Sequence, residues 1–347
     1  MSKKIIAIVL VIMMAALVFA ACAKTEAPVA DAPADDVEEG PMTFTIGYLG
    51  WDTGQDWNVS TLAGLQWGAD MKGVTVIVKD PKLDAETQVS QAQELINQGV
   101  DVLAIFPVTP ENGATIVRMA NEAGIPIAVD NTFLPDDGSA GECIGQVACQ
   151  YGDIGYAAIE WAANNVADAK LLYVHGGPGE GVYEAYQVGV DRALADFSDK
   201  IEMVGLVNGE WVTEASYNVT QTFVNSDIAE FNVVFANNDA QAKGVYQALK
   251  EYGMEDIPII STGGSNEGLQ MLKDGQEAAN MTAPANIQGL IEFGIIWAFM
   301  NGEEWGDAKI PLPIIPIDAS NIDEWIKWDD MDLAYAYVVE NIGAYTP

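Results

Sequence analysis

Histidine, arginine and cysteine are scarce. His175 is the only histidine, Arg118 and Arg192 are the only arginines, and the three cysteines are Cys22, Cys143 and Cys149. One imidazole, beside Gly176-Gly177 and outside any legible Ser-His-Asp order, gives no hydrolytic triad, and no cysteine or histidine spacing suits zinc. Two arginines, neither at a predicted strand end, leave no guanidinium fork for a carboxylate or phosphate ligand. Basic residues are few altogether: 15 Lys and Arg stand against 51 Asp and Glu, a formal net charge of −36. Such a chain has no charge-based affinity for nucleic acid or an anionic membrane surface. Its acidic coat keeps it soluble, repels anionic solutes and attracts cations. Phosphate-loop patterns are missing too, because Gly176-Gly-Pro-Gly179 fits neither Gly-x-x-x-x-Gly-Lys-Ser/Thr nor Gly-x-Gly-x-x-Gly and reads as a strand-to-helix turn. No acid, base and nucleophile set stands out, so the chain is not read as an enzyme, and no cofactor or metal is expected.

The one long apolar run lies at the start. Lys3 and Lys4 precede an uncharged stretch from Ile5 to Ala21 that ends in small residues before Cys22, the pattern of a secretion signal. Leu17-Val-Phe-Ala-Ala-Cys22 is similar to a bacterial lipobox, with Phe19 where leucine is usual, which implies lipidation of Cys22 and attachment to the cell membrane. Residues 23–42 concentrate Ala, Pro and acid without hydrophobic period, and are expected to form a disordered tether. With Cys22 lipidated, Cys143 and Cys149 remain in an oxidising setting, either bridged or as two thiols.

The remaining length, within a total of 347 residues, suits two α/β lobes better than one core. Its clearest stretch is Gln98 to Asn131. Val102 to Phe106 and Ile125 to Val129 are short apolar runs typical of strands buried on both faces. Between them Thr109-Pro110-Glu111 supplies an N-cap with proline at the first helical position, and Gly124 ends the helix. This βαβ unit places Pro107 and Asp130-Asn131 at carboxyl strand ends, where ligands of open parallel sheets lie. Gln-Gly-Val-Asp running into a Pro-terminated strand, then Ala-Gly-Ile-Pro into a strand ending in Asp, resembles the ribose-type (type I) periplasmic binding proteins of ABC importers. The resemblance spans about Thr43 to Asp323 and rests on the order of its motifs.

The expected fold is therefore two doubly wound parallel-sheet lobes joined by a three-segment hinge. Residues 43–147 with 284–311 form the first lobe, and 148–283 with 312–347 the second. Strands are expected at Thr43 to Leu49, Val74 to Val78, Val102 to Phe106, Ile125 to Val129 and Glu142 to Gly145, and an apolar helix from about Asn286 to Met300 returns to the first lobe. The tail from Asp318 to Pro347, with Trp325, Trp328, Tyr335, Tyr337 and Tyr345, is expected to pack as an aromatic-rich helix on the second lobe.

The resemblance also implies a site. Gln55-Asp56-Trp57-Asn58 aligns with an Asn-Pro-aromatic-aromatic motif, making Trp57 a stacking wall with Gln55 and Asn58 as polar rim. Asp130-Asn131 matches an Asp-Arg pair that grips sugar hydroxyls, with Asn replacing Arg. Tyr186 takes the position of a sugar-binding Arg, Trp211 that of the second-lobe aromatic wall, and Asn238 a ligand contact beside Asp239 as N-cap. Gly263 stands where the family carries an Asp contact. These departures count against ribose itself as the solute. The implied function is a monomeric, membrane-anchored extracytoplasmic receptor that closes on a small neutral sugar, a monosaccharide or a close analogue, and delivers it to ABC permease subunits. Two alternatives share the fold: a sensory receptor for a chemotactic or quorum signal, and a binder of a cationic or aromatic solute caged by Trp57, Trp211, Tyr186 and Asp130.

Overall fold

The computed structural model describes residues 43–135, 137–179, 181–226, 228–303 and 309–342. The expected leader, the lipobox with Cys22, and the tether lie outside the described residues. Among those described, no helix is long and apolar enough to cross a membrane.

The first lobe alternates β1 (Thr45–Leu49), α1 (Asp56–Lys72), β2 (Thr75–Lys79), α2 (Ala85–Gln98), β3 (Val102–Ile105), α3 (Pro110–Ala123), β4 (Ile127–Asn131) and β5 (Gly145–Cys149). Every residue of β3 and β4 is buried, as their unbroken apolar runs require. Thr109 caps α3 by accepting from the Asn112 N–H, and Gly124 ends it with φ +70. β5 begins at Gly145, where the expectation had it end, because Asn121 ties both the N–H and the C=O of Glu142 at 2.8 Å and keeps that residue out of the ladder.

The chain then builds the second lobe from α4 (Tyr151–Asn165), β6 (Ala169–His175), α5 (Val182–Asp196), β7 (Ile201–Asn208), α6 (Thr213–Asn225), β8 (Val233–Ala236), α7 (Asp239–Glu251), β9 (Ile259–Gly263), α8 (Asn266–Lys273) and β10 (Ala279–Thr282). The apolar helix α9 (Ala285–Met300) returns to the first lobe, where residues 285–296 are buried without a break. It lies against α1 with the backbones touching. A Cβ on Gly289 would stand 1.8 Å from the Thr61 carbonyl oxygen, and one on Gly64 2.1 Å from that of Asn286. β11 (Lys309–Leu312) joins the first sheet and β12 (Ile315–Asp318) the second. The sheet orders are β11-β5-β4-β3-β1-β2 and β12-β10-β9-β8-β6-β7, parallel except for β12 on β10. Both are doubly wound, so each lobe has a topological switch where its carboxyl strand ends face the other lobe.

The first three crossings fall at Gln150, at Ala283-Pro284 and at Pro313-Ile314. The tail departs from expectation. Trp325 does bury in the second lobe, among Leu269, Leu272 and Ile317. The last helix, α10 (Met331–Asn341), instead packs on the first lobe, with Tyr335 against Trp67 of α1 at 5.1 Å and Ala334 and Val338 fully buried. The single aromatic cluster read from the sequence is thus two, one per lobe, and residues 326–330 make a fourth crossing. Cys149 is buried with Sγ 3.9 Å from Gln288 Oε1, and no disulfide joins it to Cys143.

Candidate functional site

Between the lobes, at the carboxyl ends of β1, β3, β4, β6, β8 and β9, lies a cavity of about 270 Å³. On the first-lobe side Trp51, next after β1 and Gly50, stacks on Phe106 at 5.9 Å and 18°. The loop that follows is held by Thr53, whose Oγ1 donates to Asp80 at 2.6 Å. Gln55 occupies the N-cap of α1 without making a side-chain capping bond, and Trp57, two residues on, joins the wall. Asn58 does not join them. It is fully buried, donating from Nδ2 to the Tyr48 hydroxyl at 2.7 Å and accepting the Trp51 N–H at 3.2 Å, so it fixes the loop rather than forming a rim.

Asp130 and Asn131 part company. Asn131, at φ +64, lines the cavity, and its Oδ1 accepts the Tyr151 hydroxyl at 2.5 Å. Asp130, one residue earlier on the strand, is absent from the lining and lies fully buried against Glu292 and Gln288 of α9. Burial pushes its carboxyl up to about 8, against a smaller opposing pull from the neighbouring Glu292 and Gln288 side chains. Glu292 is also pushed well up, first by burial and then by the charge of Asp130. Two carboxyls this close and this dry do not ionise together, so the pair keeps a proton near neutrality. The expected grip of Asp130 on a solute is replaced by a buried structural role.

The second lobe supplies a wall of its own. Tyr186 is buried against Tyr151, rings 5.0 Å apart, and its hydroxyl meets Thr262 Oγ1 at 2.7 Å. Thr262 in turn donates to the Asn237 carbonyl, so the donor in the first of these bonds is Tyr186. Trp211 projects from a turn with two successive left-handed residues, Glu210 at φ +51 and Trp211 at φ +62, anchored where Asn208 Oδ1 accepts the Glu210 N–H. Its ring lies flat over Gly176: a Cβ there would stand 2.0 Å from the indole. Asn238, not Asp239, caps α7, accepting from the Gln241 N–H at 2.8 Å while its Nδ2 donates to the Trp211 carbonyl at 3.1 Å. Asp239 is buried at the cavity, accepting from Ser261, Ser265 and Asn280, and burial raises its carboxyl. Gly263 lines the cavity at φ +110 and presents only backbone. His175 stays outside the lining, stacked on Tyr183 at 4.1 Å.

Sequence reasoning missed Trp51, Tyr151, Asn237 and Trp328 as lining residues. Asn237 was within reach, as the first residue after β8, and its Oδ1 accepts from Tyr173 and Gly176. Its Nδ2, with the indole Nε1 of Trp57 and of Trp328, is buried and has no acceptor among the described residues. None of the described lining residues is Lys, Arg or His, while Asp56, Asp239 and Glu267 bring carboxyls. Glu267 is already paired with Lys243. No group of three or more potential metal ligands occurs among the described residues. Rings for stacking, amide and indole donors, and no fixed cation make a pocket for an uncharged or cationic small molecule rich in oxygen acceptors.

Residues 46–304 match the family described as periplasmic binding protein domain. The chain belongs to that family. It is 26% identical over 280 residues to a xylitol-binding protein of Mycolicibacterium smegmatis, covering 80% of this chain and 75% of that one. To a ribose import binding protein of Bacillus subtilis it is 28% identical over 251 residues, covering 71% and 78%. Among solved structures, an ABC transporter solute-binding protein from Bacillus halodurans with bound myo-inositol superposes with a TM-score of 0.74 at 20% identity, over 83% of this chain and 98% of the other. That likeness establishes the two-lobed type I fold. Within the periplasmic binding protein fold, Trp57, Asn131, Tyr186, Trp211 and Asn238 all reach the cleft from inside the matched segment, whereas Trp328 comes from beyond it.

Proposed function

We propose that this protein is the extracytoplasmic solute receptor of an ABC importer, closing its two lobes on a small neutral sugar or polyol and presenting the closed form to the permease. The supporting observation is the inter-lobe cavity itself: about 270 Å³, near the small end of ligand pockets, walled by Trp51, Trp57, Tyr186 and Trp211, with no basic residue among its described lining. Each lobe contributes aromatic surface and polar partners, so a solute touching both stabilises the closed state differentially. The Lys3, Lys4 and Cys22 pattern supports secretion and a lipid anchor. A second reading, a solute bearing an amine, is favoured by the carboxyls of Asp56 and Asp239 among these rings.

The test is a thermal-shift screen against xylitol, D-ribose, L-arabinose, myo-inositol, glucosamine and choline. A binder at about 100 times its Kd adds roughly 2.7 kcal/mol of stability. Shifts with the neutral members, lost in Trp57→Ala and Trp211→Ala, bear out the sugar or polyol reading. Shifts with glucosamine or choline alone move the solute to the second reading, and shifts that survive both substitutions sink the cleft assignment.

Gly176→Ala carries a separate expectation. Its new methyl must displace the Trp211 indole, so binding of whichever panel member stabilises the parent should weaken about tenfold or more, ~1.4 kcal/mol by calorimetric titration. Unaltered affinity would mean that Trp211 does not form a wall of the occupied site.

A further inference from the structure

The fourth crossing places a residue in the cavity that the first three crossings have no part in delivering. From Trp325, seated in the second lobe, the chain runs to α10 on the first lobe in the space of a few residues, and Trp328 stands in the middle of that passage. Both flanks are pinned. Asn286, at the start of α9, donates from Nδ2 to the Lys327 carbonyl at 3.1 Å, and Asp330 caps α10 by accepting the Leu333 N–H at 3.0 Å. The Trp328 indole meets Trp57 edge-on, centroids 5.5 Å apart and planes at 88°, and both rings come within 3.7 Å of the Cβ position of Gly263. First-lobe α1, second-lobe β9 and the crossing segment therefore converge on one corner of the cavity. There the Trp328 Nε1 is buried with no acceptor among the described residues. An indole N–H shut away from water without a partner is a standing cost that a bound oxygen would remove.

We propose that residues 325–331 form a strap between the lobes, and that Trp328 on this strap is a specificity-determining wall of the solute site, donating its indole N–H to a solute oxygen. Trp57 supplies the ring face against which Trp328 is set, so the two act as a unit. The inference rests on the cleft being the solute site. It does not depend on whether the solute is neutral or an amine.

Two measurements on the full chain test it. The first needs no ligand: unfolding midpoints of Trp57→Ala, Trp328→Ala and the double variant. An edge-on aromatic contact predicts that Trp328→Ala costs roughly 2–4 °C in the parent and clearly less when Trp57 is already gone. Equal losses in both backgrounds would overturn the placement of Trp328 on Trp57. The second uses whichever member of the panel above stabilises the parent. Trp328→Phe keeps the ring and removes the N–H, and is expected to weaken binding about five- to tenfold, one hydrogen bond's worth. Trp328→Ala is expected to weaken it about a hundredfold. Parent affinity in the Phe variant, with the midpoint cycle coupled, removes the donor role. Parent affinity in both variants overturns the wall itself. Binding by choline or glucosamine alone refutes the neutral-solute reading while leaving Trp328 to be judged on that ligand. A panel with no binder counts against both.

Discussion

Gly289→Ala lowers the unfolding midpoint by roughly 10 °C, a large loss for a single added methyl. The added carbon would stand 1.8 Å from the Thr61 carbonyl oxygen and 2.8 Å from the Leu65 backbone nitrogen, where no flexible side chain can give way. The α1 and α9 backbones must separate by an ångström or more. That opens gaps among Leu65, Leu290 and Phe293, all fully buried in the same cluster. Overpacking of this kind costs about 3–4 kcal/mol, a large part of the stability of an ordinary domain. The glycine makes no contact with the cavity, so any solute bound by the surviving folded fraction should keep its affinity. Thermal unfolding followed by circular dichroism decides the matter. A midpoint within a couple of degrees of the parent would mean that α9 is not locked onto α1 as described.

Asp130→Asn is expected to make the protein more stable, by an amount that grows with pH. The folded-state pKa of Asp130, about 8, lies above the usual value of 3.8. The folded form therefore holds a proton that the unfolded chain has released, and the stability this contributes is complete below the unfolded pKa and is lost as pH rises toward 8. Within that window one such proton changes stability by about 1.4 kcal/mol per pH unit. Asparagine stays neutral throughout, and it removes the charge that raises Glu292. The variant should match the parent only below about pH 4 and exceed it by at least about 2 kcal/mol near pH 8. Measuring both proteins at each pH cancels the titration of the many exposed carboxylates that they share. A difference that does not vary with pH would show that the Asp130 carboxyl is not held protonated by its surroundings.

The two buried strands β3 and β4, with the helix between them, were legible because every signal was local: two apolar runs, a Thr-Pro start and a glycine stop. Trp57, Asn131, Tyr186, Trp211 and Asn238 were likewise legible as residues at strand ends and helix starts. What failed was direction. Asp130 and Asn131 are neighbours, and the alternation of a strand sends one toward α9 and the other into the cavity. The left-handed φ of Asn131 that completes the turn is not written in any residue type. Asn58 failed for a related reason, since its amide answers to Tyr48 and Trp51 instead of to the cleft. The tail was least legible. Whether Tyr335 meets Trp67 or a second-lobe partner depends on surfaces distant in sequence, and aromatic content alone names no partner.

The fourth crossing has a consequence for how tightly a receptor of this build can hold its solute. Each additional covalent link between two bodies removes configurations in which they stand far apart, and so raises the effective concentration of one body's surface at the other. Residues 326–330 form a short link, and its ends are seated on opposite lobes by Trp325 and by α10. Such a link is expected to narrow the range of separated arrangements open to the two lobes. When a solute draws the halves together, less of its binding free energy goes to overcoming their freedom and more appears as affinity.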